Sequence, residues 1–491
     1  MRPILFLMLA AGGLHAETYF VTVQGEDAPA RTGTAVESWK TLAYACERVP
    51  AGKHIIQLEA GTFTAVKAAK PKSGVTVAGR GRTTRIVAAA DWKLGDVTAI
   101  PKPADEFLIV LEKPKEVTIQ DLAMESDPQH RISGAVRCAG GNGVVLRNLE
   151  LREFRWAALY VEHSSQIEID RCDIENGSTD KDKFHSGAIR TKWFKNSTIH
   201  HCRIINTVGS EYGYKAGGHE RVRIHHNYFE LRGEFALESA HENEYGLEID
   251  HNSINRCISV PKSNQGDDPN KRKFEYSVRI HHNLLTDSYT VEGPRNHLQF
   301  DHNYIRIEKT GGRCYSHHGG INQGPITIHH NIVENVDRAF VWKNNGTSDN
   351  VHVWNNTVYA ADAEKRAGAF IDVAKPDLTK GWSVKNNVFV APASQPRKLC
   401  TGLSLGATHN LGVGLSSMPE GNLTGEPGFH LMGDKPQPFF MPAGQKSFVI
   451  GRGVDVGLPF MGAAPTLGAF ELDTKQLLTE IPSAPAKTSQ K

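Results

Sequence analysis

Between Gly233 and Ile254 the chain reads GEFALESAHENEYGLEIDHNSI. Apolar and polar residues alternate as far as Leu237, after which Glu238, Ser239, His241, Glu242 and Tyr245 crowd together. Further along, ISVPKSN supplies Lys262, VEGPRNH supplies Glu292 and Arg295, and RCYSHHGG supplies Tyr315, His317 and His318. Acids, bases and phenols at this density can take a proton from carbon and return one to a departing oxygen, provided that cations neutralise the charge that develops. On an acidic sugar that chemistry is β-elimination. Lys262 or His241 is the candidate base, Tyr245, Tyr315 or His317 the candidate acid, and Lys262, Arg295, Arg190 and Lys215 the neutralising cations. A lysine can act as base where burial and neighbouring cations lower its pKa. Hydrolysis is the alternative; it needs two carboxylates roughly 5 to 9.5 Å apart, for which Glu238 with Glu292 or Glu242 are the candidates.

These residues need a frame that repeats. Short strings recur: VLRNLEL, IEIDRCDI, IHHCRI, IHHNYF, IDHNSI, IHHNLL, FDHNYI, IHHNIV, VWNNTV and VKNNVF. Read as one series, Asn148, Cys172, Cys202, Asn227, Asn252, Asn283, Asn303, Asn331, Asn356 and Asn387 return about every 27 residues. The strings alternate with period 2 and then turn, so they predict strands, one per turn of chain, stacked in parallel as a solenoid. Asn suits the bent backbone of a coil corner, and its amide can bond the equivalent amide one coil away. The pairs formed by His201, His225, His226, His281, His282, His329 and His330 recur with the coils and read as surface or ladder residues, not as ligands.

Period 2 also sorts the face that carries the chemistry. Leu159, Val161, Ile189, Thr191, Tyr212, Tyr214, Phe235, Leu237, Val291, Phe340 and Trp342 read inward. Glu162, Arg190, Lys192, Lys215, Glu238, Glu292 and Lys343 read outward, as a column with one or two ionisable residues per coil. A solvated, self-neutralising sheet face is the plain explanation of such a column. Against it stand the polar insertions STDKDKFHSG and KSNQGDDPNKRKFEY, which would wall a groove over this floor, and the interruption at SAHENEYG. Arg190, Lys192, Lys215, Glu292, Tyr315, His317, His318 and Lys343 are the candidate substrate contacts; Lys262, His241, Glu238, Tyr245 and Arg295 are the candidate catalytic residues. Calcium held by Glu238 and Glu292 from flanking coils is the candidate metal site.

Composition narrows the partner. Lys and Arg number 56 against 54 Asp and Glu, so no global charge draws nucleic acid or a membrane surface. The opening MRPILFLMLAAGGLHA has a basic start, a short apolar run and a small-residue end, which predicts a signal peptide cleaved before Glu17 and a secreted or periplasmic protein. No later stretch approaches the length of a membrane span. The 7 cysteines are odd in number and lack a CxxC, so they predict small buried residues rather than a disulfide framework or thiolate zinc site.

YFVTVQGEDAPARTGTAVESWKTLAYACERVPAGKHIIQLEAGTF, then VTVAGRG, the IxxN strings and a closing PTLGAFE resemble the right-handed parallel β-helix proteins of the pectate lyase superfamily, from Tyr19 to Glu471. The resemblance implies an all-β, right-handed parallel β-helix with an N-terminal capping helix and a loop-rich C-terminal cap. Residues 17–127 would form the N-terminal cap and first coils, 128–393 the coils with the groove, 394–472 the C-terminal cap and 473–491 a disordered tail. Lyases, hydrolases, epimerases and non-enzymatic adhesins share this fold, so the expectation of a monomeric enzyme acting on a polysaccharide rests on the clustered residues rather than on the resemblance. KSN at Lys262 is similar to the lysine-serine segment that carries the base in chondroitinase-B-like and alginate lyases, although NSINRCISVP lacks their calcium-binding acids. SDPQHR at Ser126 is similar to an Asp-Pro-His segment of mannuronan epimerases, but lies before the clustered coils. A non-catalytic carbohydrate-binding solenoid would use outward aromatics, for which Trp193, Trp342 and Trp354 are the candidates, with Trp342 reading as core.

Overall fold

The computed structural model describes residues 16–94, 106–179, 186–206, 212–239, 244–260, 275–287, 289–293, 297–307, 312–317, 325–343, 349–360, 368–375, 380–401, 406–429, 431–432, 435–436 and 440–470. Lys262, His241, Arg295, His318, Glu242 and the predicted signal peptide up to residue 15 lie outside the described residues.

The period-2 strings become parallel strands, each hydrogen-bonded to the equivalent strand one coil before and after. Later coils carry three short strands rather than the predicted one, while in earlier coils two of these merge, as in Val145–Arg152 and Ile189–His200. Tyr212–Ala216, His219–His225 and Tyr228–Leu231 make one coil, and pair in register with Phe235–Ser239, Glu244–Asp250 and Ser253–Ile254 of the next. The recurring strings mark only one of the three corners, which is why they under-count. Inward residues from all three strands fill a single continuous apolar cluster running from Val21 to Ala407. Among the described residues, one helix occurs, Leu42–Arg48, within the predicted capping stretch; Thr41 caps it by accepting the Tyr44 amide at 3.2 Å. Its Leu42, Ala45 and Cys46 are buried against the first strands.

The recurrent corner divides its labour between two residues. Asn227, Asn252, Asn283, Asn303, Asn331, Asn356, Asn387, Asn410 and Asn422 form an internal ladder in which each side-chain amide donates to the next Asn oxygen at 2.8 to 3.0 Å. The same oxygens accept the preceding backbone amide, so buried polar groups at the corner are satisfied coil to coil. The bend itself falls on the residue before the Asn: His201, His226, His251, His282, His302 and His330 all have φ between 51° and 54°, save His302 at 55°. Histidine tolerates this left-handed region better than most side chains. Their rings stack at 4.8 to 5.2 Å between centroids, so the histidines are indeed a ladder.

Asn148 belongs to the bend series, not the ladder. Leu146 pairs with Ile169 and Leu151 with Ile174, which puts Leu149 opposite Cys172 and Asn148 opposite Arg171. Asn148 is exposed, with φ 50°, and bonds Asp121 at 2.6 Å. The ladder position is therefore apolar or thiol in the early coils: Leu122, Leu149, Cys172 and Cys202. No disulfide links the seven cysteines; six are buried, and burial pushes the thiols of Cys46, Cys257 and Cys314 up.

Coils continue past residue 393, through Arg397–Cys400, Leu411–Val413 and Leu423–Thr424. Beyond them the chain folds back along the outer face of the third strand column, where Phe429, Phe440, Val449, Leu467 and Phe470 pack on Tyr304, Ile332, Val388 and Leu411. Here Asn355 and Asn386 replace histidine at the bend, and their amides donate to the carbonyls of Thr466 at 3.0 Å and Val454 at 2.7 Å.

Candidate functional site

The outward column exists, and register defines its members. Arg137 pairs with Tyr160, Tyr160 with Arg190, Arg190 with Lys215, Lys215 with Glu238, Glu238 with Ser259, Ser259 with Glu292, and Glu292 with Ser316. Strand spacing sets these side chains about 4.8 Å apart. Arg137, Tyr160 and Ser259 were missed in the sequence, although alternation about Leu159 and Val161 marks Tyr160 as outward. Glu162 pairs with Lys192 in the adjoining column, and Lys192 is exposed.

An ordinary solvated face would leave these charges in water. Instead the side chains of Arg137, Lys215 and Glu238 are 18%, 6% and 15% exposed. Charges this sheltered are found paired. Lys215 Nζ is in direct contact with Glu238 Oε2, and it also lies 4.2 Å from the centre of the Tyr212 ring. Tyr212 and Phe235, expected inside, are not part of the coil core; their rings stack on each other at 5.6 Å beside Lys215. Arg190 sits 5.6 Å from the centre of the buried Trp156 ring. Glu162 reaches back to Arg137 at 2.8 Å and accepts the Tyr160 hydroxyl at 2.8 Å. Burial opposes ionisation of Glu162, but those two hydrogen bonds prevail and hold its carboxyl below the usual range, while burial and the same carboxylate raise Tyr160. Ser259 donates to Glu292 Oε2 at 2.6 Å. Lys343, half-buried, has its pKa lowered by burial first and by Arg313 next.

Other expected members lie elsewhere. Tyr315 and His317 point into the coil, both fully buried, and Ser316 takes the outward place between them. Burial pushes the Tyr315 phenol up, and its hydroxyl finds no hydrogen-bond partner. Tyr245 pairs with Glu220, and Glu220 with Lys195, on the strand after the bend, so it is not a rung of the Lys215–Glu238 column. Glu238 and Glu292 are separated by the Ser259 rung, and among the described residues they do not join a group of converging ligand atoms. Trp342 is core, as expected, Trp354 stacks on His352 at 4.5 Å, and Trp193 is 38% exposed. A separate shallow depression, lined by Glu168, Asn196, Arg221, Arg223, Glu248 and Tyr276, opens on the middle strands. Its Arg223 is committed to Asp250 and its Glu248 to His281, so we regard the column as the better-organised site.

The family model for the right-handed β-helix region matches residues 117–267. No curated protein sequence matches the chain. Among solved structures, a tailspike protein of E. coli bacteriophage HK620 in complex with pentasaccharide is similar over 78% of this chain and 73% of its own, at 11% identity and a TM-score of 0.52. Pectate lyase Pel9A aligns over 94% of this chain and 97% of its own, at 14% identity and a TM-score of 0.36. PfbA, a surface adhesin of Streptococcus pneumoniae, aligns over 63% and 85%, at 10% identity and a TM-score of 0.46. Among the described residues no helix is long and apolar enough to cross a membrane. Coils of parallel strands stacked in register on one shared core give this chain the right-handed parallel β-helix fold, in agreement with the family model that matches part of its coils.

Proposed function

We propose that the protein is an exported enzyme that cleaves an acidic polysaccharide, uronate-containing or sulfated, by β-elimination, with the sugar chain lying along the column from Arg137 to Glu292. The observation that carries this reading is the sheltering of that column: Lys215 and Glu238 are withdrawn from water on a strand face whose neighbouring coils could as well have offered neutral residues. Stacked rungs suit an extended polymer, and the tailspike complex is an instance of a pentasaccharide held on this fold.

In the proposed reaction Arg190 and Lys215 neutralise the uronate carboxylate of one sugar, which acidifies the hydrogen on the carbon beside it. Lys262 or His241 removes that proton, the carbon–oxygen bond to the departing sugar breaks as the double bond forms, and the protonated base or water returns a proton to the leaving oxygen. Arg295, Glu292, Lys192 and Lys343 contribute to substrate positioning, and calcium at Glu238 and Glu292 stays the candidate additional neutraliser. Hydrolysis has one observation in its favour: Glu238 and Glu292 are two rungs apart, about 9.6 Å along the column, at the wide end of the carboxylate spacing that inverting hydrolases use.

The test is incubation of the purified protein with acidic and neutral polysaccharides, following ultraviolet absorbance of an unsaturated product alongside reducing ends. Absorbance that rises with wild type and falls at least about 100-fold in Arg190→Ala and Lys262→Ala supports elimination. Reducing ends without absorbance would transfer the reading to hydrolysis, and retention of a polysaccharide without any product would transfer it to binding.

A further inference from the structure

At the bend beside the ladder, the residue before each bend residue also forms a column: Asp170, His200, His225, Asp250, His281, Asp301 and His329. Its aspartates are not equivalent. Asp250 is gripped by Arg223, whose Nε reaches Oδ1 at 2.8 Å and whose other nitrogen reaches Oδ2 at 2.6 Å, while His251 Nδ1 lies 2.7 Å from Oδ2. Asp301 is held the same way by Arg279, at 3.2 and 2.9 Å, and by His302 at 2.9 Å.

Asp170 breaks the pattern. Arg147 gives it only Nε, at 3.0 Å and on Oδ2, because its other nitrogen turns to Glu168 at 2.7 Å. The following residue is Arg171 instead of histidine, and it too takes Oδ2, at 2.7 Å. Oδ1 of this residue, which is 1% exposed, is left without a hydrogen bond. It faces His200 Nδ1 at 3.2 Å, and His200 Nδ1 lies 2.8 Å from His201 Nδ1. One Nδ1 proton shared between the two imidazoles cannot also satisfy the carboxylate along the same line. The three atoms, all within 4.8 Å of one another, offer converging ligand positions.

We propose that Asp170 Oδ1, His200 Nδ1 and His201 Nδ1 bind one divalent first-row transition-metal ion of the zinc or cobalt type. Two imidazole nitrogens and one carboxylate oxygen are a common donor set for such ions. With metal–nitrogen bonds of about 2.0–2.1 Å, two nitrogens in a tetrahedral site stand about 3.3 Å apart, so the pair must open by about half an ångström. The exposed His201 ring can make that movement, and solvent can supply the remaining ligand. Arg147 and Arg171 stay on the other oxygen and temper the carboxylate without blocking it.

The location gives the ion a role distinct from the sugar-binding face. Asp170 belongs to one coil and His200 with His201 to the next. At the adjoining ladder position these two coils present Cys172 and Cys202, so the amide bond that ties later coils together is replaced by a weaker thiol contact. The ion would supply the missing tie.

The experiment uses the full chain without a polyhistidine tag, dialysed against chelator, then titrated with Zn2+ by calorimetry and with Co2+ by visible absorbance. The expected result is one ion per chain, a cobalt ligand-field spectrum, a thermal midpoint raised by Zn2+, and affinity at least tenfold weaker in His201→Ala and Asp170→Asn. His330→Ala removes a similar histidine pair, His329 with His330 at 2.9 Å, and is expected to leave the zinc stoichiometry and affinity intact. Absence of stoichiometric binding, binding unaffected by His201→Ala, or binding lost equally in His330→Ala would each overturn the proposal.

Discussion

Replacing Lys215 by Met, with Glu238 left in place, is the perturbation that best separates a sheltered site from a decorated surface. An exposed pair contributes about 0–1 kcal/mol, because water screens it and two long side chains must be ordered. Lys215 and Glu238 are in contact at 6% and 15% side-chain exposure, a regime in which removing one partner strands the other and costs about 3–5 kcal/mol. The cation also loses its place over the Tyr212 ring, 4.2 Å away, which adds about 0.5–2 kcal/mol. The single variants Lys215→Met and Glu238→Leu should therefore each lower the urea midpoint substantially at pH 7, and the double variant Lys215→Met with Glu238→Leu should recover most of that loss. The assay is urea titration by circular dichroism on all four proteins, with polysaccharide turnover measured on the same samples. A cycle in which each single change costs under about 1 kcal/mol would refute the sheltering argument and return the column to an ordinary solvated face. A stable double variant with undiminished turnover would remove Lys215 and Glu238 from the proposed chemistry.

Asn303→Leu should cost about 2–6 kcal/mol by urea titration, since it strips the acceptor from both the backbone and side-chain amides of Asn283; a loss below about 1 kcal/mol would show the ladder to be ornamental. Burial and neighbouring charges depress His225 to about 4, His282 to about 3 and His329 to about 4, so the unfolded chain takes up protons first as pH falls. Stability should thus be flat above pH of about 7, decline from about 6.5 towards 4, and decline further below that as Asp250 and Asp301, held low despite burial by their arginine and histidine bonds, are protonated. A thermal midpoint constant between pH of about 7 and 4.5 would contradict this. Tyr315→Phe, which deletes a buried hydroxyl lacking a partner, should be neutral or raise stability by up to about 3 kcal/mol and leave turnover unchanged; a selective loss of turnover would return Tyr315 to the site.

The architecture was legible because the corner repeats: the IHHN strings state both the left-handed bend and the ladder. What they hide is the remainder of each coil, whose two other strands have no fixed motif, so strand number per coil could not be counted. Where the motif thins to VLRN and DRCD, alignment by the visible Asn slipped by one residue at Asn148, since Leu149 carries no polar signature. The outward column was readable wherever alternation was strict, as at Leu237–Glu238 and Val291–Glu292. It failed at Tyr212 and Phe235, which parity sent inward although their rings pack beside Lys215, and at Tyr315, whose phenol looked like chemistry and is core. Tyr245 was drawn to Glu238 by sequence distance, whereas the bend between them turns it to another rung.

The amide ladder also determines where this protein is free to change. Successive ladder asparagines from Asn227 onward are separated by 25, 31, 20, 28, 25, 31, 23 and 12 residues, yet every junction repeats the same hydrogen bonds. One corner thus acts as a zip that fixes phase, while segments at the opposite side lengthen or shorten without re-threading the stack. Insertions beside the charged column can accordingly be exchanged as cassettes, reshaping that face while leaving the spindle that carries it intact.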